Sequence, residues 1–432
     1  MAVRDQPRSS TGSRLADAGR LLRANPRYRR YFAARWTNTV GTTVAPLGLA
    51  FAVLAQGGGA TGLGIVLAGG PLVYLLVMPV AGVAGDRLPR NKIIAYCHLV
   101  SGIGQSISAT LVLTGHAAVW SLALLAMTAG ASAAFLQPAV QGLVQVIVPD
   151  PAQLVTAGAV MQIPMNVVAV LGPALAGLAI AWFGPGGVLA WDAATFFIAA
   201  ALFASLRLPA RDDHRPGTRF RAELSEGLAV FFQRRWLRVL AAMSAVSFGC
   251  WSAAVTVLGP VYARQHLHGP VGWGIVTSAL GLGLACGSLI SLLARPRQIG
   301  LIMCGSTGFS AMFMASMASG APLPAVAAAA MTTGAAGTVQ AITWTAYLQS
   351  VIPAGQFARV TSLYALATSA LVPLAYLAAG PLTGLTGLRP AMWGCAAVEA
   401  LAGLTASAIP DVRTLTTSSP EPHAHGSLHS LS

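Results

Sequence analysis

Charge is what this chain of 432 residues has least of. Charged side chains make up 9% of it and only 12 of them are acidic, whereas an average soluble domain carries about 25%. A single soluble core does not grow to this length with so little charge. Lysine is nearly missing: Lys92 stands against 25 arginines, a compositional mark of a GC-rich bacterial genome. The five cysteines, Cys97, Cys250, Cys286, Cys304 and Cys395, fall in apolar runs at no metal-like spacing, so neither a disulfide framework nor a metal centre is expected. The chain has no G-x-x-x-x-G-K-[ST] loop, so ATP is not an obvious driver. It lacks the paired acid, base or metal constellation of an intramembrane enzyme, and no cofactor is expected. The polar, basic N-terminus does not carry the short apolar region and cleavage site of a signal peptide.

What remains is apolar. Hydrophobic residues make up 55% of the chain, in repeated runs of about 20 residues, the length that crosses a bilayer as a helix. An all-α, polytopic membrane protein is expected. Its twelve spans fall at 30–54, 60–84, 93–114, 119–146, 154–182, 188–207, 237–262, 272–294, 299–318, 323–350, 358–384 and 390–409. Gly, Ala and Ser allow close helix approach in lipid. Pro46, Pro71, Pro164, Pro173, Pro373 and Pro381 lie inside spans, where neighbours must satisfy the freed carbonyls.

The basic residues set the orientation. On this layout 24 of the 26 lie on one face, and only Arg264 and Arg389 lie on the other. The positive-inside rule then puts both termini in the cytoplasm, and the expected location is a bacterial inner membrane. The formal charge of +14 follows from this bias. A basic chain can bind nucleic acid, but here the charge sits beside helix ends, so no nucleic-acid partner is expected.

The chain also repeats itself at half-length. VGWGIV (271–276) echoes TGLGIV (61–66), LARPRQIGLIM (293–303) echoes DRLPRNKIIAY (86–96), IPAGQFARVTSLYA (352–365) echoes VPDPAQLVTAGAVM (148–161), and LAAG (377–380) echoes ALAG (174–177). Trp191 and Trp393 are expected to open the last span of each half. The shared order and near-constant offset imply two six-helix halves, 29–207 and 237–410. A cytoplasmic tail (1–28) precedes them, an arginine-rich connector (208–236) with an amphipathic surface helix near 222–235 joins them, and a disordered tail (411–432) follows.

The densest charge in the first half is the turn GVAGDRLPRNK, residues 82–92, between two apolar runs. With Gly82, Asp86, Arg87, Arg90 and Lys92, it resembles the loop between the second and third helices of the major facilitator superfamily, with Pro89 in place of the usual second glycine. The resemblance extends over residues 28–410. It implies a secondary transporter whose two halves rock about a midplane cavity. It also implies that Asp86 engages a helix N-terminus and arginine partners as a latch, an arrangement that dipole and charge-assisted bonding favour. Ser291 takes the place of Asp86 in the second half, so the latch is one-sided. LGPALAG (171–177), with Gly172, Pro173 and Gly177, resembles the Gly-Pro motif of the superfamily's antiporters; plain helix packing is the other reading. WDAATFF (191–197) and APLGLAFAVL (45–54) resemble exporters of macrolides, siderophores and similar compounds.

Transport needs binding and coupling groups rather than catalytic ones. Three ionisable residues inside spans are candidates for proton coupling. Glu399 lies in mid-span and is otherwise a buried protonated carboxyl. Asp192 opens the sixth span and is otherwise an N-cap. Arg35 opens the first and otherwise snorkels to the surface. The resemblance places the first, fourth, seventh and tenth spans around the cavity. Their mid-depth polar and aromatic residues, with those of adjoining spans, are Asn38, Gln137, Gln141, Gln162, Asn166, Trp251, Gln340, Trp344 and Tyr364. Such residues suit an uncharged or amphipathic organic molecule; interhelical hydrogen bonding is the alternative. The expectation is a monomeric, proton-coupled exporter of a drug-like or secondary-metabolite molecule, with a role in antibiotic resistance. An importer of a small neutral nutrient and a non-transporting receptor with the same fold are the alternatives.

Overall fold

The computed structural model describes residues 19–85, 89–206, 232–293 and 298–416. Helix dominates them, and the one β-feature among them is a single bridge between Gln298 and Thr416. The helices are α1 (Pro26–Ala55), α2 (Gly59–Gly85), α3 (Arg90–Leu113), α4 (Val119–Ile147), α5 (Pro151–Ala204), α6 (Arg235–Ala253), α7 (Gly259–His266), α8 (Pro270–Leu293), α9 (Ile299–Ala318), α10 (Leu323–Val351), α11 (Ala354–Ser369), α12 (Val372–Thr386), α13 (Leu388–Ser407) and α14 (Pro410–Arg413). Among the described residues, nine helical segments are long and apolar enough to cross a membrane. Large apolar side chains stand exposed along them, among them Trp182, Leu293 and Leu385. A protein surrounded by water would not leave so much apolar surface uncovered.

Local chemistry explains the ends and breaks. Asn25 caps α1: its side chain accepts from the Tyr28 N–H at 3.0 Å, and Pro26 follows at the first helical position. The Asn25 amide also donates to the Ile147 carbonyl at 3.1 Å, tying the start of α1 to the end of α4. The expected fifth and sixth spans form one helical run, α5, interrupted at Gly184 (φ 71°, ψ 168°). Gly387 (φ 89°, ψ 165°) makes the same turn before α13. Both sit in the left-handed region that glycine enters without penalty. Gly115 and Gly320, at φ 73° and 76°, likewise follow α3 and α9. The expected span 358–384 is divided at Ala370–Leu371, because Pro373 enters at the start of α12 and cannot donate to the preceding turn. Between α6 and α7, residues Ala254–Leu258 form a π-helical turn.

The chain divides into two compact units. The first comprises Met1–His214, Gly259–Ser278 and Tyr376–Pro381, the second Arg215–Leu258, Ala279–Ala375 and Leu382–Ser432. In the first unit α5 is the spine: α1 and α3 pack along it, and α2 packs on α4. Its core gathers Tyr28, Tyr31, Ile94, Leu143 and Phe203, with the Tyr28 hydroxyl donating to the Ala157 carbonyl at 2.6 Å.

The first unit also holds two helix crossings built alike. Gly64 of α2 faces the Tyr376 carbonyl and Gly380 of α12 faces Thr61; Gly274 of α8 faces the Pro173 carbonyl and Gly177 of α5 faces that of Pro270. A methyl group at any of the four would collide with the facing helix. The Ser278 hydroxyl also accepts from the Ala174 N–H at 2.8 Å. These glycines belong to the repeated sequences TGLGIV, VGWGIV, ALAG and LAAG.

In the second unit α9 packs on α10 and α13, and α6 on α11 and α13. Its core includes Leu237, Met303, Trp344, Tyr347 and Val412. The tail expected to be disordered from 411 is packed through 416. Val412 is fully buried, and the Leu415 carbonyl accepts from the Ile299 N–H at 3.0 Å. Two apolar side chains and a backbone bond hold this segment over the start of α9.

Candidate functional site

The second unit encloses a cavity of about 530 Å³ between α6, α8, α9, α10 and α11. No charged side chain lines it. Ser244, Ser247 and Trp251 project from one face of α6, at the three- and four-residue spacing that aligns side chains on a helix. Gln340 and Trp344 of α10 and Tyr364 of α11 complete the polar and aromatic lining. The rings of Trp344 and Tyr364 lie 4.9 Å apart. Tyr364 and Ser244 hydroxyls share a hydrogen bond of 2.7 Å, and Ser306 donates to the Gln340 side-chain oxygen at 2.7 Å. Trp344 is only 7% exposed, and its buried indole N–H has no partner.

Glu399 lies behind this wall. It sits in mid-α13 with no exposed surface. One carboxyl oxygen, Oε2, accepts from the Ser247 hydroxyl; the other, Oε1, has no partner. Ser247 therefore touches both the cavity and the carboxyl. Gly403, one turn further along α13, permits close approach to Thr307 and the Cys304 carbonyl of α9.

Asp192 is a second buried carboxyl, in the first unit, 1% exposed. It does not open a helix. Because the turn is made at Gly184, Asp192 stands two turns inside the second arm of α5. The side chain of Gln105 from α3 donates to its Oδ2 at 2.8 Å, and Thr195 approaches Oδ1 at 3.5 Å. Gly41 of α1 lies against both Asp192 and Thr195, where no larger residue fits.

The expected cavity residues separate into two groups. Trp251, Gln340, Trp344 and Tyr364 come together around the cavity of the second unit. In the first unit, Asn38 is buried with its amide nitrogen unpartnered, Gln137 is exposed, and Gln162 donates to Asn166 at 2.9 Å on an exposed face. The side chain of Gln141 lies outside the described residues. The pocket found there, about 660 Å³ between α1 and α5, is apolar, with Trp36, Leu171, Phe183 and Trp191 in its wall. Arg35 is half-buried next to Tyr31 and His98, its Nε unpartnered.

Of the charged turn, Asp86 and Arg87 lie outside the described residues, as do the connector from 207 to 231, Arg295 and Arg297. Gly82 falls in the last turn of α2, and Arg90 and Lys92 in the first turn of α3. Ser291 bonds its own helix, donating to the Gly287 carbonyl at 2.9 Å. Gly172 of the glycine-proline motif faces the Thr43 methyl group at 2.6 Å from where a Cβ would stand. The sequence reading passed over Ser244 and Ser247, although their alignment with Trp251 was visible in MSAVSFGCW (243–251). It also passed over Gln105, which nothing in the sequence pairs with Asp192.

Comparison with known proteins adds five findings. The family model described as Major Facilitator Superfamily matches residues 31–371. The multidrug efflux pump Tap of Mycolicibacterium fortuitum is 26% identical over 391 residues, covering 88% of this chain and 95% of the pump. The enterobactin exporter EntS of Salmonella paratyphi A is 28% identical over 306 residues, covering 66% of this chain and 69% of EntS. Among solved structures, the nucleoside transporter NupG superposes with a TM-score of 0.69 at 12% identity over 88% of this chain and 98% of that one. A bacterial homologue of the iron transporter ferroportin superposes with a TM-score of 0.68 at 14% identity, covering 89% and 99%.

Proposed function

The chain belongs to the Major Facilitator Superfamily and is a multi-pass membrane transporter, and from that premise we propose that it exports a drug-like or secondary-metabolite molecule by proton antiport. The observation that carries this reading is the uncharged cavity of the second unit, polar on α6 and aromatic on α10 and α11. Amides and hydroxyls orient an amphipathic molecule and aromatic faces supply contact area, while a sugar phosphate would find no countercharge. The efflux activity in the names of Tap and EntS supports the direction.

We read the chain as twelve spans in two six-helix halves, with both termini cytoplasmic in a bacterial inner membrane and the monomer as the working unit. Counting the two arms of α5 separately and adding α3 and α13 to the nine apolar segments reaches that number. The matched turns at Gly184 and Gly387 and the paired glycine crossings support the internal repeat. The crossings would hold one side of the transport path shut, and Gly172, Pro173 and Gly177 serve there as packing surface. The turn of Gly82, Asp86, Arg87, Arg90 and Lys92 is the latch on the cytoplasmic side.

Inside-out vesicles containing the protein, energised with an inward-acid pH gradient, should accumulate ethidium, and collapsing the gradient should release it. Equal uptake by protein-free vesicles would overturn the exporter. Uptake that rises on reversing the gradient would favour the importer.

A further inference from the structure

Glu399 is held in a way that serves structure poorly. A buried carboxyl kept for stability has its oxygens filled, because an unmet hydrogen bond in low dielectric is costly. Here Oε1 is empty and no salt bridge reaches Glu399 among the described residues. The titratable groups that face it are two thiols, Cys250 from α6 and Cys395 one turn away on α13. From α9, Thr307 and the Cys304 carbonyl hold the next turn of α13 in place. The single polar contact, Ser247, leads directly to the cavity.

We propose that Glu399 takes up and releases the coupling proton through Ser247, and that its protonation reverses the hydrogen-bonding polarity that Ser247 shows to the cavity. This rests on the proton-antiport reading above. A hydroxyl has one donor and two acceptor positions. When Glu399 is ionised, the Ser247 proton points at Oε2, and the cavity meets only an acceptor. When Glu399 is protonated, its O–H donates to Ser247, and the serine proton turns into the cavity as a donor. Release balances in one exchange: the Oε2 proton passes to the Ser247 oxygen, the serine's own proton passes to water in the cavity, and a carboxylate is left behind.

The sign of coupling then depends on the cargo. A molecule presenting N–H or O–H to Ser247 binds the ionised site and competes with the proton, which is antiport. A molecule presenting only a carbonyl there binds the protonated site and travels with the proton. The structure therefore assigns the exported cargo a hydrogen-bond donor at Ser247.

Ethidium is a suitable probe, since it carries aromatic amines and does not itself titrate near neutrality. Added to purified protein in weak buffer with a pH-indicator dye, it should release protons from wild type. Glu399→Gln should still bind ethidium and release none, and its affinity should no longer change with pH. Ser247→Ala, which keeps the carboxyl, should lose most of the release. Undiminished release from Glu399→Gln would overturn the proposal. Infrared difference spectra taken across a pH titration need no ligand: a carboxyl C=O band should vanish in Glu399→Gln and shift in Ser247→Ala. A spectrum unchanged by both substitutions would overturn the proposal even if ethidium is not a substrate. Loss of ethidium accumulation in wild-type vesicles, with that band present, would count against export alone.

Discussion

Two carboxyl groups are buried among the described helices, and they are held in opposite ways. Asp192 receives Gln105 and Thr195 on its two oxygens and is walled in by Gly41. Glu399 receives Ser247 on one oxygen and nothing on the other. The first is bound by groups from α3 and from its own helix, and the pocket near it is apolar. The second is one hydroxyl away from a polar cavity. Satisfied networks specify and stiffen a core, whereas a group that changes protonation needs a partner that can exchange roles. Burial alone does not separate a structural acid from a working one; the identity and number of its partners do.

Substitutions sharpen this contrast in order of expected size. Asp192→Leu strands the Gln105 amide, while the Thr195 hydroxyl keeps its bond to the residue-192 carbonyl, and should cost about 1–3 kcal/mol in thermal unfolding of the detergent-purified protein. Asp192→Asn should keep the pH profile of transport even where its rate falls. If Asp192→Asn flattens that profile, the roles of the two acids are exchanged. Gly41→Ala drives a methyl group into Asp192 and Thr195, and should cost about 1–3 kcal/mol by the same measurement. Gly403→Ala, which meets Thr307 on the Glu399 side, should fall in the same range. Glu399→Leu strands only Ser247, which the cavity can hydrate, and should change stability by no more than about 1 kcal/mol in either direction; a larger loss would make Glu399 a structural acid. Asp411 supplies the lower bound. Its contact with Arg235 is 3.9 Å long and exposed on both sides, so Arg235→Ala should shift stability by about 0.5 kcal/mol or less.

Much of this organisation is readable in the amino-acid order. Apolar runs and polar turns place the helices within a few residues, because the length that spans a bilayer and the residues that end a helix are both local properties. The echoing stretches TGLGIV, VGWGIV, ALAG and LAAG are readable too, and they are where helices come close enough to require glycine. The π-helical turn at Ala254–Leu258 runs directly into Gly259–Pro260, and Pro260 has no N–H for the Thr256 carbonyl inside it. Asp192 looked like a helix cap because WFGPGG (182–187) reads as a loop, yet Gly184 makes the whole turn alone. Of the nine expected cavity residues, Trp251, Gln340, Trp344 and Tyr364 line one cavity within the second unit. Facing a common direction on one helix is legible, whereas which helices share a space depends on tertiary packing. Gln105 shows the same limit: 87 residues separate it from Asp192, and no periodicity links the two.

The single-residue turn at Gly184 bears on how this chain is made. With no polar loop between them, the two arms of α5 offer the insertion machinery no stopping point, and the pair should enter the bilayer together as a hairpin. The order of synthesis then matters: the first arm waits for Gly184 and the second before either is stably lodged. A ribosome pause, an epitope tag or a protease site placed at 183–186 would act on biogenesis before it touched transport. By contrast, the segment from 56 to 58, which already separates α1 from α2 with non-helical residues, offers a place where an insertion could be tolerated.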